Sequence, residues 1–206
     1  MFKNRFASAI LMAATTLGTV SSGMAQKPAA EQQPGLGGPV IAGVCLLSRE
    51  AVLANSKVGI AAAARLKQIA DESQAEIDRD RSPIEADVLA LRSESAKLSD
   101  QQRRAREKAL ADKFAPVQAK AELRTREIEK TRAKVMEMIA SEAQPVIATA
   151  YKDRNCGLLL DRTNVLGGNL ANDLTVAVVQ GLDAKITTMN FQRETLAAAP
   201  AATPAR

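Results

Sequence analysis

The 206-residue sequence contains no histidine and no tryptophan, and it has only one tyrosine and four phenylalanines. Without histidine, the chain lacks the commonest general base and a major metal ligand. It also lacks a glycine-rich phosphate loop, because Gly35, Gly37 and Gly38 precede a predicted strand instead of following one. The carboxylates are interspersed with Lys and Arg, as on a solvated helix surface. We therefore expect no catalytic residues, no metal site and no cofactor.

Long hydrophobic runs are also missing, apart from a short one near the N-terminus. Lys3 and Arg5 precede an apolar stretch at residues 9–20, which is followed by small residues up to Ala25. This pattern predicts a cleaved signal peptide at residues 1–25, because the stretch is too short to span a bilayer. The alternative is an anchor that stays in the membrane. In a Gram-negative cell the mature protein is expected to be periplasmic. Residues 26–38, rich in Pro and Gly, are predicted to form a flexible linker.

Residues 58–153 are charged, alanine-rich and nearly free of aromatic side chains. Their apolar residues recur every seven positions, which is the period of helices that supercoil around a partner. A polar segment at residues 98–102 separates two such runs. It predicts an antiparallel hairpin in which the numbers of opposite residues sum to about 201. The two apolar columns are Ala70, Ile77, Ile84, Leu91 and Leu98 in the first run, and Phe114, Ala121, Ile128 and Val135 in the second.

The partner column of the first run is polar, since it contains Ser73, Asp80, Asp87 and Glu94. A seam that lacks half of its apolar residues predicts a flexible arm. The charge is also uneven: the whole chain has a net charge of +5, and residues 92–134 contain thirteen Lys or Arg against seven Asp or Glu. A solvated helical face is one explanation. The other is a surface for acidic partners, such as anionic proteins, lipid headgroups or nucleic acid.

The segments that flank the arm, residues 39–57 and 154–185, are predicted to form a small β-body. We predict three strands in it, at residues 40–47, 156–161 and 164–166. A terminal helix is predicted at residues 172–183, with an apolar stripe formed by Leu174, Val178 and Leu182. Residues 186–206 are predicted to be disordered. A body of about sixty residues is marginal by itself, so we expect oligomerisation or a disulfide to support it.

Each flanking segment carries one of the two cysteines, Cys45 and Cys156. An even pair of cysteines in an oxidising compartment is a disulfide candidate. Strand alternation places the two on a shared face if Val44 and Leu159 both point into the body. The alternative is a pair of small buried side chains that remain thiols.

The two flanks also carry a resemblance to a known family. The first reads IAGVCLLSREAVLANSKVGIAAAARL and resembles the start of the Skp/OmpH family of periplasmic outer-membrane-protein chaperones. In that family a short strand leads through a helical turn into a long arm. The second flank, from Cys156, resembles the end of the family sequences, at Leu159, Asp161, Val165, Asp173, Leu174 and Thr175. The resemblance covers residues 40–185, and it departs from the family where Leu166 and two glycines replace an aromatic residue.

The resemblance implies a mainly α fold with a small β-body. In the family this body is barrel-like and trimerises, and a long antiparallel helical hairpin, the coiled-coil arm, projects from each subunit around a cavity. The implied function is ATP-independent holding of unfolded outer-membrane β-barrel proteins. Candidate client-binding residues on the arm are Arg103, Arg104, Arg106, Lys108, Lys113, Phe114 and Val117.

The predicted partners of the chain are therefore these clients and two further copies of the chain itself. Lipopolysaccharide or an anionic membrane surface is compatible with the basic arm, whereas secretion argues against nucleic acid. The alternative function is a structural coiled-coil adaptor of the cell envelope. An adaptor coil needs no β-body, so the two strand-like flanks favour the chaperone.

Overall fold

The computed structural model describes residues 36–197. The predicted signal peptide at residues 1–25, and the predicted linker at residues 26–38 up to residue 35, lie outside the described residues. The elements follow in the order β1 (Val44–Leu47), α1 (Arg49–Asn55), α2 (Lys57–Glu94), α3 (Asp100–Asp153), β2 (Leu158–Asp161) and α4 (Thr175–Lys185). Two long helices and a two-stranded sheet confirm the mainly α fold with a small β component.

Two serines direct the chain from the strand into the arm. The Ser48 hydroxyl accepts a hydrogen bond from the Ala51 N–H and caps α1, as serine does at a helix N-terminus. Ser56 then ends α1 and caps α2 by accepting from the Gly59 N–H. A Cβ atom at Gly59 would lie 1.8 Å from the carbonyl oxygen of Leu53. Glycine is therefore required where α1 and α2 meet.

Helices α2 and α3 form the antiparallel hairpin that the heptad pattern predicts. They contain 38 and 54 residues, so the longer helix extends for about 80 Å. The turn between them ends at Ser99, which caps α3 in a reciprocal pair of hydrogen bonds with Gln102. Across the hairpin, Lys113 donates to Asp87 at 2.6 Å, and the numbers of these two residues sum to 200. The hairpin and its register are therefore confirmed.

The main hydrophobic core combines the small body with the base of the arm. The stripe of α4 packs against the last turns of α3 and the first turns of α2, as the amphipathic pattern predicts. The predicted border between body and arm, at residues 57/58 and 153/154, therefore does not coincide with the border of the core. The buried residues that α2 and α3 contribute are Val58, Ala62, Val135, Ile139, Ala143 and Ala150.

The sheet consists of β1 and β2, which pair in parallel with Val44 opposite Leu158 and Leu47 opposite Asp161. The predicted strands at residues 40–47 and 156–161 are thus too long at their N-terminal ends. On the other side of β1, Leu46 bonds through its N–H to the carbonyl of Asn172 and accepts from the N–H of Leu174. Strand β1 is therefore central and receives backbone partners from two later parts of the chain.

The predicted third strand at residues 164–166 is wrong. The Asp161 carboxylate accepts from the backbone N–H and the hydroxyl of Thr163 and caps a short 3-10 turn at Arg162–Asn164. Leu166, which follows this turn, is fully exposed. An Asp side chain at the end of a strand can accept hydrogen bonds from nearby residues. These local bonds form here in place of a third strand, which would have needed distant residues as hydrogen-bond partners.

A disulfide joins Cys45 to Cys156, with the two Cα atoms 5.8 Å apart. The two cysteines do not lie where strand alternation predicted. Cys45 is fully buried in the main core, and Cys156 precedes β2 instead of lying in it. The bridge ties the strand before the arm to the end of the arm's second helix. It closes a sequence separation of 111 residues.

Residues 186–197 correct the predicted disorder of residues 186–206. Ile186, Met189 and Phe191 pack against the main core. Arg193 and Glu194 then contact the arm through hydrogen bonds and ion pairs. The Ala- and Pro-rich composition from about residue 195 suggested disorder, but these contacts depend on residues that are distant in the sequence, such as Thr131, which composition does not register. Residues 198–206 lie outside the described residues.

Replacement of both Cys45 and Cys156 by Ala should destabilise the body. A loop of this length corresponds to about 4–5 kcal/mol of unfolding free energy in the chain-entropy model, which we take as an upper limit. We expect a lower midpoint of denaturant unfolding, monitored by circular dichroism, with reduced wild-type protein as the control. Equal midpoints for the oxidised wild type and the double variant would show that the bridge contributes no stability.

Candidate binding surfaces of the arm and the body

The polar column of α2 forms ion pairs across the hairpin. Asp80 accepts from Lys120 at 2.7 Å, Asp87 accepts from Lys113, and Glu94 pairs with Arg106 near the tip. The heptad count alone predicted a seam that lacks half of its contacts. The structure shows that ion pairs supply them. Cations of α3 occupy the places that apolar side chains fill in a regular coiled coil.

Glu76 is the centre of the strongest of these ion clusters. Its carboxylate lies 2.9 Å from Arg124 Nε and 2.7 Å from Lys120 Nζ. Hydrogen bonds from Arg124 and then from Lys120 lower the pKa of Glu76 from 4.5 to about 2. The same contacts raise the pKa of Arg124 and of Lys120. Glu76 is thus ionised throughout the physiological pH range and holds both cations of α3 against α2.

A small apolar cluster fills the rest of this part of the seam. Ile77, Ile84 and Val117 are buried together, and Leu110 and Ala121 pack against them. Ile84 and Val117 lie opposite each other in the predicted register. Val117 was predicted to contact client proteins, but its side chain is buried inside the hairpin. It stabilises the arm in this closed form and presents almost no surface to a partner.

The other predicted client-binding residues lie on the outside of the arm. Arg103 pairs with Asp100, and Lys108 pairs with Asp112, in both cases within α3. Arg106 and Lys113 pair across the hairpin, as described above. Arg104 is exposed. Phe114 is 38% exposed, and the Arg81 guanidinium lies 6.0 Å from the centre of its ring. The tip of the arm therefore presents paired cations, the exposed Arg104 and the accessible aromatic ring of Phe114.

The ion pairs at the tip involve exposed side chains, so each contributes little to stability. Exposed pairs of this kind are typically worth up to about 1 kcal/mol, and salt screens them. A cation such as Arg106 can therefore exchange Glu94 for the carboxylate of another molecule with little change in free energy. This property suits a surface that binds acidic partners transiently.

A buried carboxylate on α3 was not predicted from the sequence. Glu127 is 2% exposed and accepts a hydrogen bond from Arg124 at 2.8 Å. The same carboxylate oxygen, Oε2, also lies 3.1 Å from the Nε atom of Arg193 in the tail. Neighbouring Thr131 is also buried. No local signal distinguishes Glu127 from the other acidic residues of the arm, because its burial depends on the tail.

The body carries an apolar surface beside the sheet. A groove of about 570 Å³ lies between α1 and α3, and a smaller one of about 260 Å³ continues from it toward β2. Its apolar lining includes Leu47, Val52, Leu53, Met136 and Ile139. On β2 itself, Leu158 is 50% exposed and Leu160 is 37% exposed. The strand that was predicted to be buried is thus open to solvent in the single chain.

The described residues contain neither a cluster of His, Cys, Asp and Glu with the arrangement of a metal site nor a helix with the length and hydropathy of a membrane span. What they contain is a long charged helical hairpin on a small core with an exposed apolar strand. These features define an arm-bearing helical protein with a charged tip and an exposed apolar surface on the body.

The chain belongs to the OmpH-like outer membrane protein family, whose model matches residues 43–182. The resemblance to the Skp/OmpH family is therefore confirmed. Among solved structures, the crystal structure of a candidate OmpH-like outer membrane chaperone from Caulobacter crescentus is similar to this chain, with 33% sequence identity and a TM-score of 0.66. The match covers 82% of this chain and 98% of the Caulobacter crescentus chain. None of the curated proteins matches the sequence significantly.

Acid should loosen the arm through Glu76. Because the pKa of Glu76 is lower in the fold than its ordinary value of 4.5, its contribution is present above pH 4.5 and is lost as the pH falls toward about 2. We expect Glu76→Gln to lower the thermal midpoint at pH 7 and to flatten its decline below pH 4.5. Circular dichroism at a series of pH values measures both effects. Glu85→Gln, at an exposed site on α2, is the matched control, and identical pH profiles for the wild type and Glu76→Gln would contradict the assignment.

Proposed function

We propose that the protein is a periplasmic chaperone that holds unfolded outer-membrane β-barrel proteins without ATP and prevents their aggregation. The observation that carries this proposal is the arm, since helices of 38 and 54 residues project from a small core and are joined largely by ion pairs. An arm of this kind offers many weak contacts to an unfolded chain, so total affinity is high while each contact stays exchangeable. Family membership over residues 43–182 supports the same function.

The basic tip is the proposed site of first contact with an acidic client. Arg103, Arg104, Arg106, Lys108 and Lys113 are placed there, with Phe114 as an apolar contact. Long-range attraction between such cations and an anionic client raises the rate of encounter. The same cations remain our predicted contact for lipopolysaccharide or an anionic membrane surface. Release requires no nucleotide in this scheme, because folding of the client elsewhere removes it from the equilibrium.

We also propose that the chain functions as a homotrimer whose bodies form a barrel-like assembly. Exposed Leu158 and Leu160 on β2 support this proposal, as does the adjoining apolar groove between α1 and α3. Within the described residues, β2 pairs only with β1, so its other edge is available for a neighbouring chain. Edge strands with apolar faces favour pairing with further chains. Association of subunits around a common axis would leave the arms to surround a client.

The oligomeric state is the first test. We expect the mature protein to have three times the chain mass in multi-angle light scattering, and the double variant Leu158→Lys/Leu160→Lys to shift toward the monomer. Leu89→Lys, at a position on the arm that is 64% exposed, is the matched control and should leave the mass unchanged. A monomeric wild-type protein at micromolar concentration would rule out the trimer and favour the adaptor function.

Suppression of aggregation is the second test. A urea-denatured outer-membrane β-barrel protein is diluted with and without a threefold excess of the chaperone, in the absence of nucleotide, and light scattering is recorded at two salt concentrations. We expect the wild type to suppress scattering, and less so at high salt, because exposed charges are screened beyond about 8 Å at physiological ionic strength. Unchanged scattering at both salt concentrations would refute the chaperone function.

Charge-reversal variants locate the site of capture. We expect Arg103→Glu/Arg104→Glu/Arg106→Glu to slow capture of an acidic client several-fold, because these residues form the tip. The matched control reverses three exposed cations outside the tip, Arg79, Arg126 and Arg132. Equal loss of activity in both triple variants would show that net charge matters and that the tip has no special role.

A further inference from the structure

The tail of the chain lies along the arm as an extended segment. After α4 ends at Lys185, Phe191 packs against the main core, and the tail then continues toward the tip. Glu194 pairs with Lys134 at 2.7 Å, and the tail reaches Glu127 two residues further on. As the residue numbers of the tail increase, the residue numbers of its α3 partners decrease. The tail therefore runs antiparallel to α3.

Two backbone amides of the tail bind acceptors on successive turns of α3. The Glu194 N–H donates to Thr131 Oγ1 at 2.8 Å, and the Leu196 N–H donates to Glu127 Oε1 at 3.1 Å. Four helical residues advance by about 6 Å, and two extended residues advance by about 6.6 Å. Alternate amides of any extended chain therefore match this pair of acceptors, whatever side chains that chain carries.

The most specific part of the contact comes from one cation. Arg193 Nη1 donates to Ser73 Oγ of α2 at 2.9 Å, while its Nε lies 3.1 Å from Glu127 Oε2 of α3. Arg193 therefore bridges the two helices of the arm. It does so at Ser73, a seam position that has a polar residue in place of an apolar one. By contrast, Gln192 and Thr195, which flank Arg193 and Glu194, are exposed.

The acceptors of this site are buried and require donors. Glu127 is 2% exposed and Thr131 is 1% exposed. Without the tail, Glu127 would retain Arg124 but lose the Arg193 guanidinium and the Leu196 amide. Removal of the tail would expose these acceptors, which would then take water or the amides of another extended chain as donors. The site is therefore arranged to hold an extended polypeptide, and the tail is its resident occupant.

We propose that Ser73, Glu127 and Thr131 form a binding site for an extended segment of unfolded polypeptide, and that residues 191–196 occupy it as an internal competitor. The inference rests on the proposed chaperone function and adds a place on the arm where client backbone is bound. An unfolded client supplies alternate amides of the same spacing, and an Arg or Lys side chain can replace Arg193. A client segment then enters the site only if it binds there more favourably than the tail does.

A peptide probe tests the site in the full mature chain. The probe is a fluorescent peptide with the sequence of residues 187–197, and Arg193→Ala in the protein loosens the resident tail. We expect this variant to bind the probe at least about tenfold more tightly than the wild type, because loss of a charge-assisted contact lowers occupancy by the tail. Gln192→Ala, at the exposed neighbouring position, is the matched control and should bind the probe like the wild type.

Modification of the probe itself separates backbone recognition from other binding and does not disturb the protein. N-methylation of the probe at the positions of Glu194 and Leu196 removes both donated hydrogens and should abolish binding. N-methylation at the position of Thr195 is the control and should preserve most of the affinity. Equal affinity of the wild type, Arg193→Ala and Gln192→Ala for the probe, or equal effects of the two methylation patterns, would overturn the proposal.

Hydrogen exchange connects the site to the client. In the wild-type protein, the amides of Glu194 and Leu196 should be protected and should lose this protection when a urea-denatured outer-membrane β-barrel protein is added. If aggregation is suppressed while both amides stay protected, the client does not use the site and the inference fails, although the chaperone function stands. If aggregation is not suppressed but the probe binds as expected, the peptide site stands and the chaperone function fails.

Discussion

Parallel pairing of β1 with β2 is the constraint on which the rest of this structure depends. Parallel neighbours cannot be joined by a tight turn and need a long crossover, and here the crossover is the entire arm. Closing so long a connection is entropically unfavourable, but this entropic cost increases only slowly with the length of the connection. The Cys45–Cys156 bridge and the second backbone partner of β1 at Leu46 help to hold the ends together. The length of the arm can therefore vary without altering the body.

The arm is stabilised unevenly along its length. At its base, Val135 and Ile139 share the main core with α4, whereas further out a three-residue apolar cluster and exposed ion pairs join the helices. Apolar burial gives the base most of its stability, and the exposed pairs of the outer part add little. The base therefore opens only when the body unfolds, while the outer arm can separate at a much smaller free-energy difference.

Local features of the fold could be predicted from the sequence because each depends on nearby residues. The seven-residue repeat predicted the hairpin and its register, and Leu174, Val178 and Leu182 predicted the buried face of α4. The ion pairs of Asp80 and Asp87 required both helices to be in place, so a polar column looked like a missing seam. The buried site at Glu127 could not be predicted, because its ion pair with Arg193 and its hydrogen bond from Leu196 both come from the tail.

The arm and the tail are both held by polar contacts that can be exchanged for contacts with another molecule. A seam of apolar side chains would have to expose hydrophobic surface whenever it opened, which promotes aggregation of the protein itself. Lys113 and Arg106 can instead turn from Asp87 and Glu94 to another carboxylate, and Glu127 and Thr131 can accept from another backbone. In each case the incoming group has the same chemistry as the one it replaces. In the proposed function, opening and binding are therefore coupled exchanges of similar free energy, which would let a charged arm hold an unfolded chain without becoming insoluble when it is empty.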